Sequence, residues 1–152
     1  MLEILNPVNG KVVKAKKNKD PTFAKEMMGT TIGVMPTDNK FVAPIDGKIL
    51  IADGHAYSIE NKDKTQVLVH IGIDTVEIDP KVKKKIFKYL KKKGNSVKAG
   101  QPIVEVDLAA IEKLGFNTIT SVVVLSESVV DRVVKVLTKG KLEAKTPILS
   151  VN

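Results

Sequence analysis

The chain contains two histidines and no cysteine. Thiolate chemistry, disulfides and Cys-type zinc sites are thereby excluded, and imidazole is the one side chain ready to act as a nucleophile near neutral pH. Both rings fall within His55-Ala56-Tyr57-Ser58-Ile59-Glu60-Asn61-Lys62-Asp63-Lys64-Thr65-Gln66-Val67-Leu68-Val69-His70-Ile71-Gly72. Two runs rich in β-branched and aromatic residues flank a polar loop, the pattern of an antiparallel hairpin. If Glu60 and Thr65 close the loop, paired positions sum to 125, as 55 and 70 do. The imidazoles are then expected opposite each other on one face, with Cβ atoms about 4.5 to 5.5 Å apart. A slip of one residue would send the rings to opposite faces, so the expectation depends on register.

Such a pair admits three readings. The plainest is an inert pair of histidines at a strand end, but Gly54 and Gly72 leave room for a ligand to approach the backbone. A zinc-dependent hydrolase is the second, with His55, His70 and a carboxylate such as Asp53 or Asp74 as ligands; no His-x-His or His-Glu-x-x-His spacing supports it. The third is phosphoryl transfer, in which one neutral imidazole attacks phosphorus while the other and nearby N–H groups hold the phosphoryl oxygens. Asp53 lies two residues before His55, so in an extended strand both side chains leave the same face. Its carboxylate is expected to orient the His55 ring and raise its pKa above about 6.5.

The elements that must position these rings are mostly strands. Aromatic residues are only 4% of the chain and tryptophan is absent, so the core must be built from Val, Ile and Leu, which favours sheet. Pro7-Val8-Asn9-Gly10-Lys11-Val12-Val13 recurs as Pro44-Ile45-Asp46-Gly47-Lys48-Ile49-Leu50, an internal repeat of a turn followed by a strand. Further strands are expected at Thr31 to Met35, Ile49 to Ala52, Pro102 to Val106, Ile119 to Leu125, Val133 to Leu137 and Pro147 to Val151. This spacing predicts an all-β protein, an antiparallel β-sandwich or barrel with Greek-key-like connections and one or two short helical turns. The turns are expected at Leu108 to Leu114, between Asp107 as N-cap and Gly115, and at Phe23 to Met28. The run Lys81 to Lys93 fits either a helix or a strand.

The 152 residues suit a single domain over 1–152. No apolar run approaches a membrane span, and the start lacks a signal peptide's pattern, so a cytoplasmic protein without stable membrane insertion is expected. The net charge of +8 is carried almost wholly by lysine, with arginine at Arg132 alone. A nucleic-acid partner is not expected, because base recognition relies on the arginine fork and on aromatic platforms.

His55-Ala56-Tyr57-Ser58-Ile59-Glu60, followed by Val69-His70-Ile71-Gly72-Ile73-Asp74-Thr75-Val76-Glu77, closely resembles the signature of the glucose-type IIA proteins of the bacterial phosphoenolpyruvate-dependent sugar phosphotransferase system. The resemblance extends through Pro7 to Val13, Asp20 to Ala24, Pro36 to Lys40, Val42 to Gly47 and Val97 to Pro102. It implies an antiparallel β-sandwich and an extended segment around Phe87. It also implies a phosphocarrier that takes a phosphoryl group from the phosphohistidine of HPr and passes it to a cysteine on the IIB domain of a sugar permease. By the same resemblance, His70 is phosphorylated on Nε2 and His55 contacts the phosphoryl group, with Gly72 giving close backbone approach. Asp20 and Asp74 are acidic positions near the site. Phe23, Met27, Met28, Ile51 and Leu68 form an apolar ring that docks both partners. A monomer needing no cofactor is implied, although His55 and His70 could bind Zn²⁺ with a partner's carboxylate at an interface.

Three departures from the family pattern stand out. Asp53 occupies the place of a usual threonine, the first strand is expected almost at Met1 with no N-terminal tail ahead of it, and the chain is basic where members are often acidic. The positive charge is therefore expected on the far surface. A biotinyl- or lipoyl-like carrier module is the alternative, since Gly94-Asn95-Ser96-Val97-Lys98-Ala99-Gly100 also suits those domains, with Lys64 as its weak candidate for modification.

Overall fold

The two copies of the repeat form matching halves of a pseudosymmetric crossing. Leu5 N–H donates to the Pro44 carbonyl at 2.9 Å and Val42 N–H donates to the Pro7 carbonyl at 2.8 Å, so the first residue of each copy bonds the residue two positions ahead of the other copy. The asparagine of one copy, Asn9, accepts from Ala144 N–H at 2.7 Å, and its counterpart Asp46 accepts from Ala99 N–H at 2.7 Å. The glycines are required by close approach. A Cβ on Gly10 would lie 2.3 Å from the Met35 oxygen, and one on Gly47 would lie 2.2 Å from the Glu60 oxygen.

The computed structural model describes residues 1–152. Its strands are β1 (Leu2–Leu5), β2 (Gly10–Lys14), β3 (Gly29–Pro36), β4 (Lys40–Val42), β5 (Gly47–Asp53), β6 (Ala56–Glu60), β7 (Gln66–Ile71), β8 (Phe87–Tyr89), β9 (Ser96–Val97), β10 (Pro102–Val106), β11 (Thr120–Leu125), β12 (Val134–Val136), β13 (Gly140–Leu142) and β14 (Pro147–Val151). The helices are α1 (Pro21–Ala24), α2 (Pro80–Ile86) and α3 (Leu108–Lys113). Asp20, Asp79 and Asp107 cap them, each accepting a backbone N–H of the first turn. The strands expected at Pro102 to Val106 and Pro147 to Val151 fall at those bounds, and the other four differ by a few residues at their ends.

An eight-stranded sheet in the order β13-β2-β3-β11-β7-β6-β5-β9 carries the site, and two three-stranded sheets, β1-β14-β12 and β4-β10-β8, complete the fold. All pairings are antiparallel, as the sequence predicts. Along β7, Val67, Val69 and Ile71 enter the main core with Tyr57 and Ile59 of β6 and Val122 and Val124 of β11. The intervening Leu68 belongs instead to a small cluster with Phe23 and Val123. Strand alternation thus sends His70, two residues from Leu68, to the face away from the main core.

One open reading is resolved and one expectation is corrected. Lys81 to Ile86, which fitted either a helix or a strand, is helical, because Asp79 caps it and Pro80 suits a first turn; the chain becomes extended only at Phe87. The loop between β6 and β7 has five residues rather than four. Glu60 pairs with Gln66, not Thr65, and Ala56 pairs with His70, so paired positions sum to 126. The cause is local. The Asn61 side chain accepts from the N–H groups of both Asp63 and Thr65, and Lys64 adopts a φ of 67°, which wraps the extra residue into the loop.

Candidate functional site

The one-residue shift does not separate the histidines, because His55 is outside the regular ladder. Asp53 pairs with Ala56, leaving Gly54 and His55 as a two-residue turn between β5 and β6. Gly54 has a φ of 51° while His55 has no positive φ, the pattern of a II′ hairpin turn. Strand alternation stops at the turn, so the ring of His55 is free to lean over β7. The His55 carbonyl accepts Ile71 N–H at 2.7 Å, tying the turn to the end of β7. The two imidazoles meet edge to face, with centroids 4.8 Å apart and planes at 74°. Small residues flank His70 across the sheet, Ala56 on β6 and Ser121 on β11, and leave its ring room.

His70 is held in one tautomer. Its Nδ1 lies 3.1 Å from the Gly72 carbonyl oxygen, which can only accept, so Nδ1 carries the proton and Nε2 keeps its lone pair. Gly72 adopts a φ of 82° to present that carbonyl, and an added Cβ would lie 2.4 Å from Thr75 Cγ2. Phe23 packs against the same ring, with centroids 4.6 Å apart and planes tilted by 42°. Burial lowers the His70 pKa, opposed by the Gly72 bond and by the charges of Asp20 and Asp74.

His55 is pushed down to about 4, first by burial, then by His70 and by the charge of Lys83. Asp53 opposes these, but as the smallest contribution. This corrects the expectation that Asp53 raises the His55 pKa above its ordinary value. Nor does Asp53 orient the ring by a hydrogen bond, for the buried Nδ1 of His55 has no partner. The alternation argument fails at Asp53 because the turn begins immediately after it.

The five residues of the expected apolar ring differ in exposure, and Met27 and Met28 line a groove with Glu60, Lys64 and Gln66. Phe23 and Leu68 are only 4% and 8% exposed, whereas Met27, Met28 and Ile51 are 69%, 39% and 46% exposed. Ile51 joins this face through a bulge in β5. Ile49 pairs with core-facing Ile59, yet Ile51 pairs with the next residue, Ser58, which reverses the facing of Ile51. Asp20 and Asp74 line one shallow groove, together with Glu77 and Phe116. Neither Asp53 nor Asp74 completes a metal site with the histidines, since no three His, Asp or Glu side chains converge. The zinc-hydrolase reading therefore lacks its third ligand within this chain.

Tyr89, Lys83 and Ser121 are site neighbours that sequence reasoning missed. The Tyr89 hydroxyl lies 2.8 Å and 3.0 Å from the carbonyls of Gly54 and Ala56, bracing the turn that bears His55. Ser121 accepts from the Asn18 side chain at 3.0 Å. The stem of Lys83 packs on Gly54, so the basic charge is not confined to the far surface. Local spacing carries no signal for any of these contacts, which are made across the fold.

The model for the family described as phosphoenolpyruvate-dependent sugar phosphotransferase system, EIIA 1, matches residues 2–130. The PTS system glucose-specific EIIA component of Haemophilus influenzae is 34% identical over 136 residues, covering 88% of this chain and 80% of that protein. The PTS system glucoside-specific EIICBA component of Staphylococcus carnosus is 32% identical over 151 residues, 98% of this chain but only 21% of that much longer protein. Among solved structures, the glucose permease IIA from Mycoplasma capricolum shares the fold with a TM-score of 0.85, at 24% identity over 97% of this chain and 94% of that one. No helix is long and apolar enough to cross a membrane. By sequence match over most of its length, the chain belongs to the EIIA 1 family of the phosphoenolpyruvate-dependent sugar phosphotransferase system.

Proposed function

We propose that the chain is a cytoplasmic phosphocarrier, a single IIA domain over 1–152, in which Nε2 of His70 receives a phosphoryl group from phospho-HPr. The group then passes to a cysteine on the IIB domain of a sugar permease. The observation that carries this reading is the Nδ1 contact of His70 with the Gly72 carbonyl. With Nδ1 protonated, Nε2 attacks without a general base. The new N–P bond forms as the N–P bond of the donor breaks, and the donor imidazole leaves with the electron pair. In the return step a thiolate takes the phosphoryl group and His70 leaves in the tautomer it started from.

His55 serves the group in transfer. Its pKa is held down to about 4 before the group arrives, so it starts neutral near pH 7 with one ring N–H to donate to the phosphoryl oxygens. Phe23 and Leu68, buried together beside His70, and the exposed Met27, Met28 and Ile51 supply the apolar docking face, with Asp20 and Asp74 in a groove nearby. The transfer needs no cofactor, and the carrier acts as a monomer. A zinc ion on His55 and His70 would need a further ligand from a partner.

The test is intact mass after incubation with phosphoenolpyruvate, enzyme I and HPr. Wild type should gain one acid-labile phosphoryl group, His70→Ala should gain none, and His55→Gln should accept the group but pass it on poorly. Phosphate on the His70→Ala protein would overturn the assignment.

A further inference from the structure

The turn that bears His55 is packed against a lysine. A methyl placed on Gly54 would lie 3.2 Å from Cδ and 3.8 Å from Nζ of Lys83, so the side chain lies along the turn with its ammonium beside it. Of the four lysines in α2, Lys81, Lys84 and Lys85 are exposed and Lys83 alone is half-buried. Its ammonium has no carboxylate within ion-pair distance, although Asp53 immediately precedes Gly54. It is also close enough to His55 for its charge to oppose protonation of that ring.

This placement bears on a charge requirement of the site. A phosphoryl group brings roughly one and a half to two negative charges at pH 7. Before the group arrives, both imidazoles are shifted toward their neutral forms by burial, and His55 is neutral at that pH. Asp20 and Asp74 add negative charge near His70. A cation on a flexible stem, held at the edge of the pair without a fixed partner, meets the requirement. We propose that Lys83 is a further phosphoryl-binding group, whose ammonium leaves the Gly54 turn to pair with the phosphoryl oxygens on His70. The inference rests on the phosphocarrier reading above and adds a residue to its site.

The competing explanation is that the Lys83 stem merely covers the turn while its ammonium remains in water. The two are separated by the acidity of the phosphoryl group. Wild type, Lys83→Gln, Lys83→Arg and Lys84→Gln are phosphorylated with phosphoramidate, a small donor that requires no protein docking, and titrated by ³¹P NMR. An ammonium near the group favours its dianion, so Lys83→Gln should raise the phosphoryl pKa by about 0.5 to 1 unit. Lys84→Gln should match wild type, and Lys83→Arg should keep most of the effect. An unchanged pKa in Lys83→Gln, or equal shifts in both glutamine variants, would overturn the inference while leaving the phosphocarrier reading in place. If wild type gains no acid-labile phosphate from either phosphoramidate or phospho-HPr, the phosphocarrier reading fails and the inference fails with it.

Discussion

The Tyr89 hydroxyl lies 2.8 Å from the carbonyl oxygen of Gly54, although 35 positions separate them in the chain. A contact of this kind lets β8, in a separate three-stranded sheet, set the position of the turn that carries His55. Burial holds the phenol well above its ordinary pKa, so it remains a donor throughout the physiological range. Tyr89→Phe removes the donor and keeps the ring, leaving the carbonyls of Gly54 and Ala56 short of one partner. Urea denaturation should show a loss of about 1 kcal/mol. In single-turnover transfer, phosphoryl uptake should persist while onward passage slows, as for a milder version of His55→Gln. Unchanged stability and unchanged transfer would mean that the turn is held without this bond.

Gly72 makes the opposite demand on the backbone. Its φ of 82° and the absence of a Cβ are both used, because that atom would lie 2.4 Å from Thr75 Cγ2 and 2.9 Å from the Asn117 oxygen. Gly72→Ala should therefore cost about 2 kcal/mol from strain at positive φ. It should also displace the carbonyl that fixes the His70 tautomer. Nitrogen-15 NMR should then report a mixture of His70 tautomers in place of a single form protonated on Nδ1. A single tautomer retained in the variant would show that Gly72 is not what selects it.

The sheet was legible because its strands are short, β-branched and separated by turn residues, and the cap at Asp107 works locally, whereas the turn expected at Phe23 to Met28 lies at Pro21–Ala24 because Asp20 caps it earlier. Register was less so. Asn61 can close a four-residue or a five-residue loop, and only its bonds to Asp63 and Thr65 select the latter. That shift would have sent the rings to opposite faces had His55 remained in the ladder, so the pairing of the histidines was expected from the wrong geometry. Asp53 failed for the same reason, since alternation was extended one residue into a turn. The contacts of Tyr89 and Lys83 with Gly54 required knowledge of how separate segments fold together, which spacing along the chain does not contain.

The docking face yields a paired test. Met28 is exposed and lines a groove with Met27 and Leu125, while Lys62 lines a different groove with Met1 and Lys98. Both partners must leave quickly, so the interface should be small, at or below about 1,200 Å². A charge placed in its apolar part should raise KM for HPr several-fold with little change in kcat. Met28→Lys is expected to do so and Lys62→Glu is not. Equal effects would mean that the docking face has been assigned to the wrong surface.

The low His55 pKa makes a prediction about stability whose sign is fixed. Folding moves the group from its ordinary value of 6.5 to about 4, with burial as the main cause, so between these values the unfolded chain binds more protons than the folded one. Stability should be unaffected by His55 above about pH 6.5, fall as pH drops toward 4, and cease to depend on this group below that. His70 shifts in the same direction and reinforces the trend. Carboxylates titrate across the lower part of the window, so the informative quantity is the difference between proteins over pH 7 to 5. The fall in Tm over that interval should be smaller in His55→Gln than in wild type. In Asp53→Thr the one carboxylate that favours protonated His55 is removed, so NMR should place the His55 pKa lower still, with little effect on His70. If His55→Gln shows the same dependence of Tm on pH as wild type, the ring is not desolvated by folding, and its role as a neutral donor beside His70 loses its physical basis.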